Sequence, residues 1–85
     1  MVKVIIHEDA RLGLAALPRA LRRSILSACH ELLDDWGIGK PLTGHLHGYR
    51  VHRVGVYRII YAMKQGSRVE IVAIGHRKDI YERTK

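Results

Sequence analysis

The alternation of apolar and polar positions divides this chain into a strand, two helices and three further strands. Val2 to His7 is short and β-branched, which predicts a strand. Glu8 and Asp9 follow, acidic groups where the dipole of a helix N-terminus favours them. They predict a first helix over Ala10–Leu17, which Gly13 weakens by about 1 kcal/mol. Pro18 ends that helix and can open the next. From Arg19 the apolar positions are Leu21, Ile25, Ala28, Cys29, Leu32, Leu33 and Trp36. Their spacing traces one face of an α-helix, and Gly37 stops it. Cys29 and Trp36 lie on that stripe and are expected in the core.

Residues 37–48 hold four glycines and a proline and read as a loop. Tyr49–Val54, Tyr57–Met63 and Arg68–Gly75 are rich in Val, Ile and Tyr and read as strands. The spacers between them are too short for a parallel crossover, so they form antiparallel hairpins. The tail His76–Lys85 is polar and basic, with room for one helical turn. The expected architecture is α+β, in the order β-α-α-β-β-β, as one domain over residues 1–85. Two helices cover one face of a small, mainly antiparallel sheet and leave the other face open.

The hairpin turn sets which side chains share that open face. Gly55-Val56 suits a two-residue type II′ turn with glycine first. That register pairs Val54 with Tyr57, Arg53 with Arg58, His52 with Ile59 and Val51 with Ile60. Opposed residues point to the same face, so Arg53 and Arg58 stand side by side. Two like charges so placed are unfavourable unless an anion lies between them. The same register sends Arg50 and His52 to the opposite face.

Composition then narrows the class. The 85 residues are 47% hydrophobic and 27% charged, which fits a folded domain and excludes a disordered basic tail. A single cysteine excludes a disulfide framework. No apolar run is long enough to span a bilayer, and the N-terminal apolar stretch is too short for a signal peptide, so a soluble cytoplasmic domain is expected. The net charge is +7, and it is uneven. Residues 1–48 carry net +1 and residues 49–85 net +6, which points to a polyanionic partner for the hairpin half.

Further candidates lie past the last strand. Arg77 can join the arginine pair as a third cation, and Tyr81 offers a ring for stacking and a hydroxyl. His76 neighbours this group in sequence and has a side chain suited to proton transfer. His45 and His47 lack a nearby carboxylate or thiolate, so no metal site and no cofactor is expected.

Lys40-Pro41-Leu42, then Arg53-Val54-Gly55-Val56-Tyr57-Arg58-Ile59-Ile60-Tyr61, then Ala73-Ile74-Gly75-His76-Arg77-Lys78-Asp79-Ile80-Tyr81, resemble the RelE branch of the RelE/ParE toxin superfamily. The resemblance covers essentially the whole chain. It implies a RelE-like fold and the toxin of a type II toxin–antitoxin system, an endoribonuclease that cleaves mRNA in the ribosomal A site without metal. It implies a cognate RelB-like antitoxin in a hetero-oligomer, with the ribosome and mRNA as further partners and no membrane. By position Arg53, Arg58, Arg77 and Tyr81 fall on the family's active-site motif. Arg50, Lys78, Arg83 and Lys85 are then candidates for contacts to RNA and the ribosome. RelE enzymes carry lysines on the first hairpin strand, whereas no lysine occurs here between Lys40 and Lys64. The general base is therefore open between His52 and His76. The alternative is a ParE-like toxin that binds gyrase without RNA chemistry, or a catalytically weak toxin that acts chiefly in operon co-repression.

Overall fold

The computed structural model describes residues 3–77 and Ile80. Strand β1 (Lys3–Ile6) leads into helix α1 (Glu8–Ala15) and then α2 (Arg19–Asp34). A short strand β2 (Lys40–Pro41) follows, then β3 (Arg50–Val54), β4 (Tyr57–Lys64) and β5 (Arg68–His76). Single 3-10 turns at Trp36–Ile38 and Gly44–Leu46 flank β2. The sheet order is β1-β5-β4-β3-β2, with β1 parallel to β5 and the other pairs antiparallel. The expected α+β layout holds, with one strand added. Proline suppresses the strand signal at β2, and is tolerated there because β2 is an edge strand. Among the described residues no helix is long and apolar enough to cross a membrane.

Local chemistry explains the helices. Glu8 opens α1 and accepts two bonds from the Arg11 guanidinium, at 2.6 and 3.1 Å. Helix α2 buries Ile25, Ala28, Cys29 and Leu32 on the predicted stripe. Burial pushes the Cys29 thiol up to about 11, so it stays protonated at neutral pH and serves packing, not nucleophilic chemistry.

The main core lies between the helices and one sheet face, where Ile59, Tyr61, Val69, Ile71 and Ile74 meet Ala10, Leu14, Ile25 and Leu32. Positions 69, 71 and 74 can share a face only if the two-residue period slips once. A bulge supplies that slip: Ile60 pairs with Ala73 but Tyr61 pairs with Ile71, leaving Val72 extra.

Trp36 is a correction to the helical pattern. Its side chain is not in the core and is 42% exposed. Helix α2 stops at Asp34 because Asp35 takes φ −148° and its side chain accepts from the Gly37 N–H at 3.1 Å, which starts the next turn. The apolar stripe is thereby cut one residue short of the indole.

What the core takes from this turn is backbone. The Tyr61 hydroxyl, buried, donates to the Trp36 carbonyl at 2.6 Å and accepts from the Gly39 N–H at 2.9 Å. Arg50 donates to the Gly39 carbonyl at 2.6 Å and to the Gly37 carbonyl at 3.3 Å, with its guanidinium 5.2 Å from the Trp36 ring centre. Gly39 is required by space: a Cβ there would overlap the Tyr61 hydroxyl and lie 2.8 Å from the Val51 carbonyl oxygen. This latch ties the turn before β2 to the middle of β4. Tyr61→Phe is expected to lower stability by about 1–3 kcal/mol, because Gly39 and Trp36 lose a buried partner. Gly39→Ala should cost at least as much. Urea unfolding checks both, and a Tyr61→Phe loss under about 0.5 kcal/mol would mean the latch contributes little.

Candidate functional site

The second sheet face is only partly open. Val51, Ile60 and Ala73 form a small cluster on it, capped by fully buried Ile80 and bordered by Leu42, Tyr49 and Val72. The chain thus returns over this face twice, before β3 and after β5, which corrects the expectation of an open sheet. Lys64 closes one side, its ammonium 5.4 Å from the centre of the Tyr49 ring. What remains for function is the end of the face at the β3–β4 turn.

The arginine pair stands there. Arg53 lies opposite Arg58, Val54 opposite Tyr57 and His52 opposite Ile59, the register that the Gly55-Val56 turn predicts. Gly55 takes φ +61°, the left-handed value glycine supplies at the first central position of the turn. Directly opposed side chains have Cβ atoms about 4.5–5.5 Å apart, so two guanidinium stems leave the sheet together. Arg53 is exposed and Arg58 half-buried. Two unit charges 4 Å apart repel by about 1 kcal/mol in water, and by more where low-dielectric walls displace solvent. An anion between them reverses the sign of that energy.

The next strand extends the row. Arg58 pairs with Gly75 on β5, which has no side chain to oppose it. Arg77 follows immediately, and its backbone N–H donates to the Val56 carbonyl at 2.9 Å. That bond fastens the exit of β5 to the hairpin turn and brings Arg77 to the same end of the sheet.

Strand β2 contributes a residue that the sequence pattern missed. Lys40 pairs with Val51, so it projects to the face of Val51, Arg53 and Arg58, one step diagonally from Arg53. The lysine absent from β3 is therefore met by one on the neighbouring strand. The signal was present in Lys40-Pro41-Leu42, but without a visible strand at 40–41 it could not be assigned a face.

The histidines lie elsewhere. His52 pairs with Ile59, and His76 pairs with Tyr57 and meets its ring edge-on at 5.8 Å. Both belong to the face that packs on the helices, opposite the arginine pair. Sequence proximity misled for His76 because successive residues of a strand point to opposite faces. Arg50 is on the helix face as predicted, and its guanidinium is committed to the Gly37 and Gly39 carbonyls. His7 bonds Glu70 at 2.9 Å, and Arg68 approaches the same carboxylate at 3.3 Å, near the far end of β5. Among the described residues no group of three or more His, Cys, Asp or Glu could hold a metal ion. Tyr81, Lys78, Arg83 and Lys85 lie outside the described residues, as does most of the expected C-terminal helical turn.

A row of three arginines and a lysine, next to a glycine, can bind a phosphoryl group through bidentate donors. Millimolar sulfate is expected to raise the thermal midpoint above that in chloride of equal ionic strength. The Arg53→Ala/Arg58→Ala variant should lose that difference between the two salts. An equal response to sulfate in both proteins would show that the row holds no anion.

Comparison with known proteins agrees with the fold. The family model for the ParE toxin of type II toxin–antitoxin systems, parDE, matches residues 4–81. Toxin RelE of Mycobacterium tuberculosis is 37% identical over 68 residues, which are 72% of this chain and 70% of that toxin. The crystal structure of the RelBE2 toxin–antitoxin complex from the same organism aligns with a TM-score of 0.82 at 28% identity, covering 89% of this chain and 98% of the matched one. The archaeal RelE–RelB complex from Pyrococcus horikoshii aligns with a TM-score of 0.71 at 26% identity, covering 89% and 94%.

Proposed function

This chain belongs to the RelE/ParE superfamily of type II toxin–antitoxin toxins, and from that premise we propose that it is a RelE-type endoribonuclease that cleaves mRNA on the ribosome. The observation that carries this reading is the cross-strand pairing of Arg53 with Arg58, beside Gly75 and the fastened start of Arg77.

The chemistry follows from the charges. The 2′-hydroxyl of one nucleotide attacks the adjacent phosphorus, a 2′-O–P bond forms, and the P–O5′ bond breaks. Negative charge grows on the phosphoryl oxygens as this happens. Arg53, Arg58 and Arg77 hold those oxygens with fixed, permanently charged donors, which favours the transition state over the ground state. Lys40 adds an ammonium from β2. Tyr81, one residue past the buried Ile80, stacks on a neighbouring base and keeps the nucleotide splayed. Lys78, Arg83 and Lys85 add positive charge for contacts to ribosomal RNA.

Proton removal fits solvent better than an imidazole. His52 and His76 point away from the arginine row, and arginine is a poor base because its guanidinium stays protonated. The row instead acidifies the 2′-hydroxyl by stabilising its alkoxide, so solvent hydroxide removes the proton. Water protonates the departing 5′-oxygen.

Activity is neutralised by a cognate antitoxin. A RelB-like partner with an acidic or amphipathic segment complements the charge of the hairpin half. The match to the ParE family model supports a second reading, in which the same fold binds gyrase and cuts no transcript.

Primer extension on a message after toxin induction separates the two. Ribosome-dependent cuts are expected with the wild-type chain, and Arg58→Ala or Arg77→Ala should reduce them by about 100-fold or more. Uncut transcripts together with an induced DNA-damage response would favour the gyrase reading. In purified ribosome assays the cleavage rate should rise with pH between about 6 and 8, with no inflection near the ordinary histidine pKa of about 6.5. A plateau above pH 7 that His76→Ala or His52→Ala removes would reassign the base to that imidazole.

A further inference from the structure

Helix α2 carries its charges against its own dipole. Its N-terminal end has Arg19, Arg22 and Arg23, with no acidic residue in the first turn and no side-chain cap at Pro18. Its C-terminal end has Glu31 and Asp34, with no basic residue in the last turn. Helix α1 is arranged the other way, with Glu8 and Asp9 in its first turn. A charge of the wrong sign at a helix end is unfavourable, so the isolated α2 is less stable than it would be with the same residues reversed.

The order makes sense once a second helix is added. On the side away from buried Ile25, Ala28, Cys29 and Leu32, the outward line is Arg19, Arg23, Ser27, His30 and Asp34. The steps are four, four, three and four, and every one of these residues is exposed. The line is basic at one end, acidic at the other and small in the middle. It is therefore complementary to itself when turned end for end. A twofold axis beside residues 26 and 27 sets Arg19 across from Asp34 of the second copy and Arg23 across from His30, with Glu31 one residue farther along. Ser27 lets the two backbones approach, and Leu26, exposed in the free chain, packs along the seam. The two helix dipoles then run antiparallel, and each end finds a counter-charge. Arg22 sits to the side of this line and donates to its own chain at the Leu17 carbonyl, 3.2 Å away.

We infer that the exposed face of α2 is a docking surface for a second copy of this chain, packed antiparallel about a twofold axis beside Leu26 and Ser27. Charge complementarity chooses this occupant: the same helix supplies both halves of every ion pair. The surface lies on the helix layer, opposite the arginine row, so pairing leaves that row accessible.

Sedimentation velocity on the full free chain over a concentration series tests this. Self-association is expected at about 50 mM salt and should weaken at least about tenfold at about 500 mM, as screening shortens the range of the pairs. Arg19→Glu/Arg23→Glu and Glu31→Lys/Asp34→Lys should each abolish it. Each should also raise the thermal midpoint of the monomer, since its charges now follow the dipole; this separates lost pairing from lost folding. The variant with all four substitutions restores opposite charges across the axis and should associate again. A wild-type chain that stays monomeric at low salt overturns the inference. So does association that survives either double substitution, or one that the four-substitution variant fails to recover.

Discussion

Two arginines held side by side by a strand register are the constraint on which this molecule turns. Neither Cβ can move away without breaking the β3–β4 ladder, because the turn at Gly55-Val56 fixes Arg53 opposite Arg58. Surface arginines ordinarily splay apart and pair with solvent ions at little cost. Here backbone hydrogen bonds fix the two stems on one face at adjacent positions, so both positive charges start from the same place. Such an arrangement is preorganised for an anion, since little of its geometry has to change when charge develops between the two groups. The rest of the sheet serves that end: Gly75 pairs with Arg58 and brings no side chain of its own, and the Arg77 N–H ties the exit of β5 to the same turn.

The opposite face supplies the rigidity. Tyr61 lies at the centre of β4, three residues from Arg58, and its hydroxyl reaches through the core to the backbone at Trp36 and Gly39. Burial raises the pKa of that phenol, while the Gly39 N–H and the Arg50 charge act the other way. It stays a neutral donor and acceptor. Through Gly39 the latch sets the start of β2, and β2 carries Lys40 to the arginine face. The two faces of the sheet are thus coupled through one side chain: packing on the helix side positions a charge on the other.

Much of this was legible in the sequence because it rests on short-range rules. The β-branched runs, the α2 stripe and the two-residue Gly-Val turn each act within a few residues, and each predicts an element or a pairing that the structure contains. What escaped depends on distant partners. Strand β2 exists because β3 pairs with it, and no propensity at Lys40-Pro41 announces that. Trp36 leaves the core because Asp35 caps a new turn, one residue before the periodicity ends. The cover over the second face comes from Ile80 and Leu42, far apart in the chain. His76 adjoins Arg77 in sequence yet faces the other way, since alternation along a strand outranks proximity.

The most direct test of a phosphate-gripping arginine row is the chemical nature of the ends it leaves on RNA. Attack by the 2′-hydroxyl predicts a 2′,3′-cyclic phosphate on the upstream fragment and a free 5′-hydroxyl on the downstream one. Mass spectrometry of a defined message cleaved on ribosomes reads both ends at once. Finding those termini, and losing them in Arg58→Ala, is the expected result. A 3′-hydroxyl with a 5′-phosphate, or cleavage unchanged without Arg58, would contradict the account.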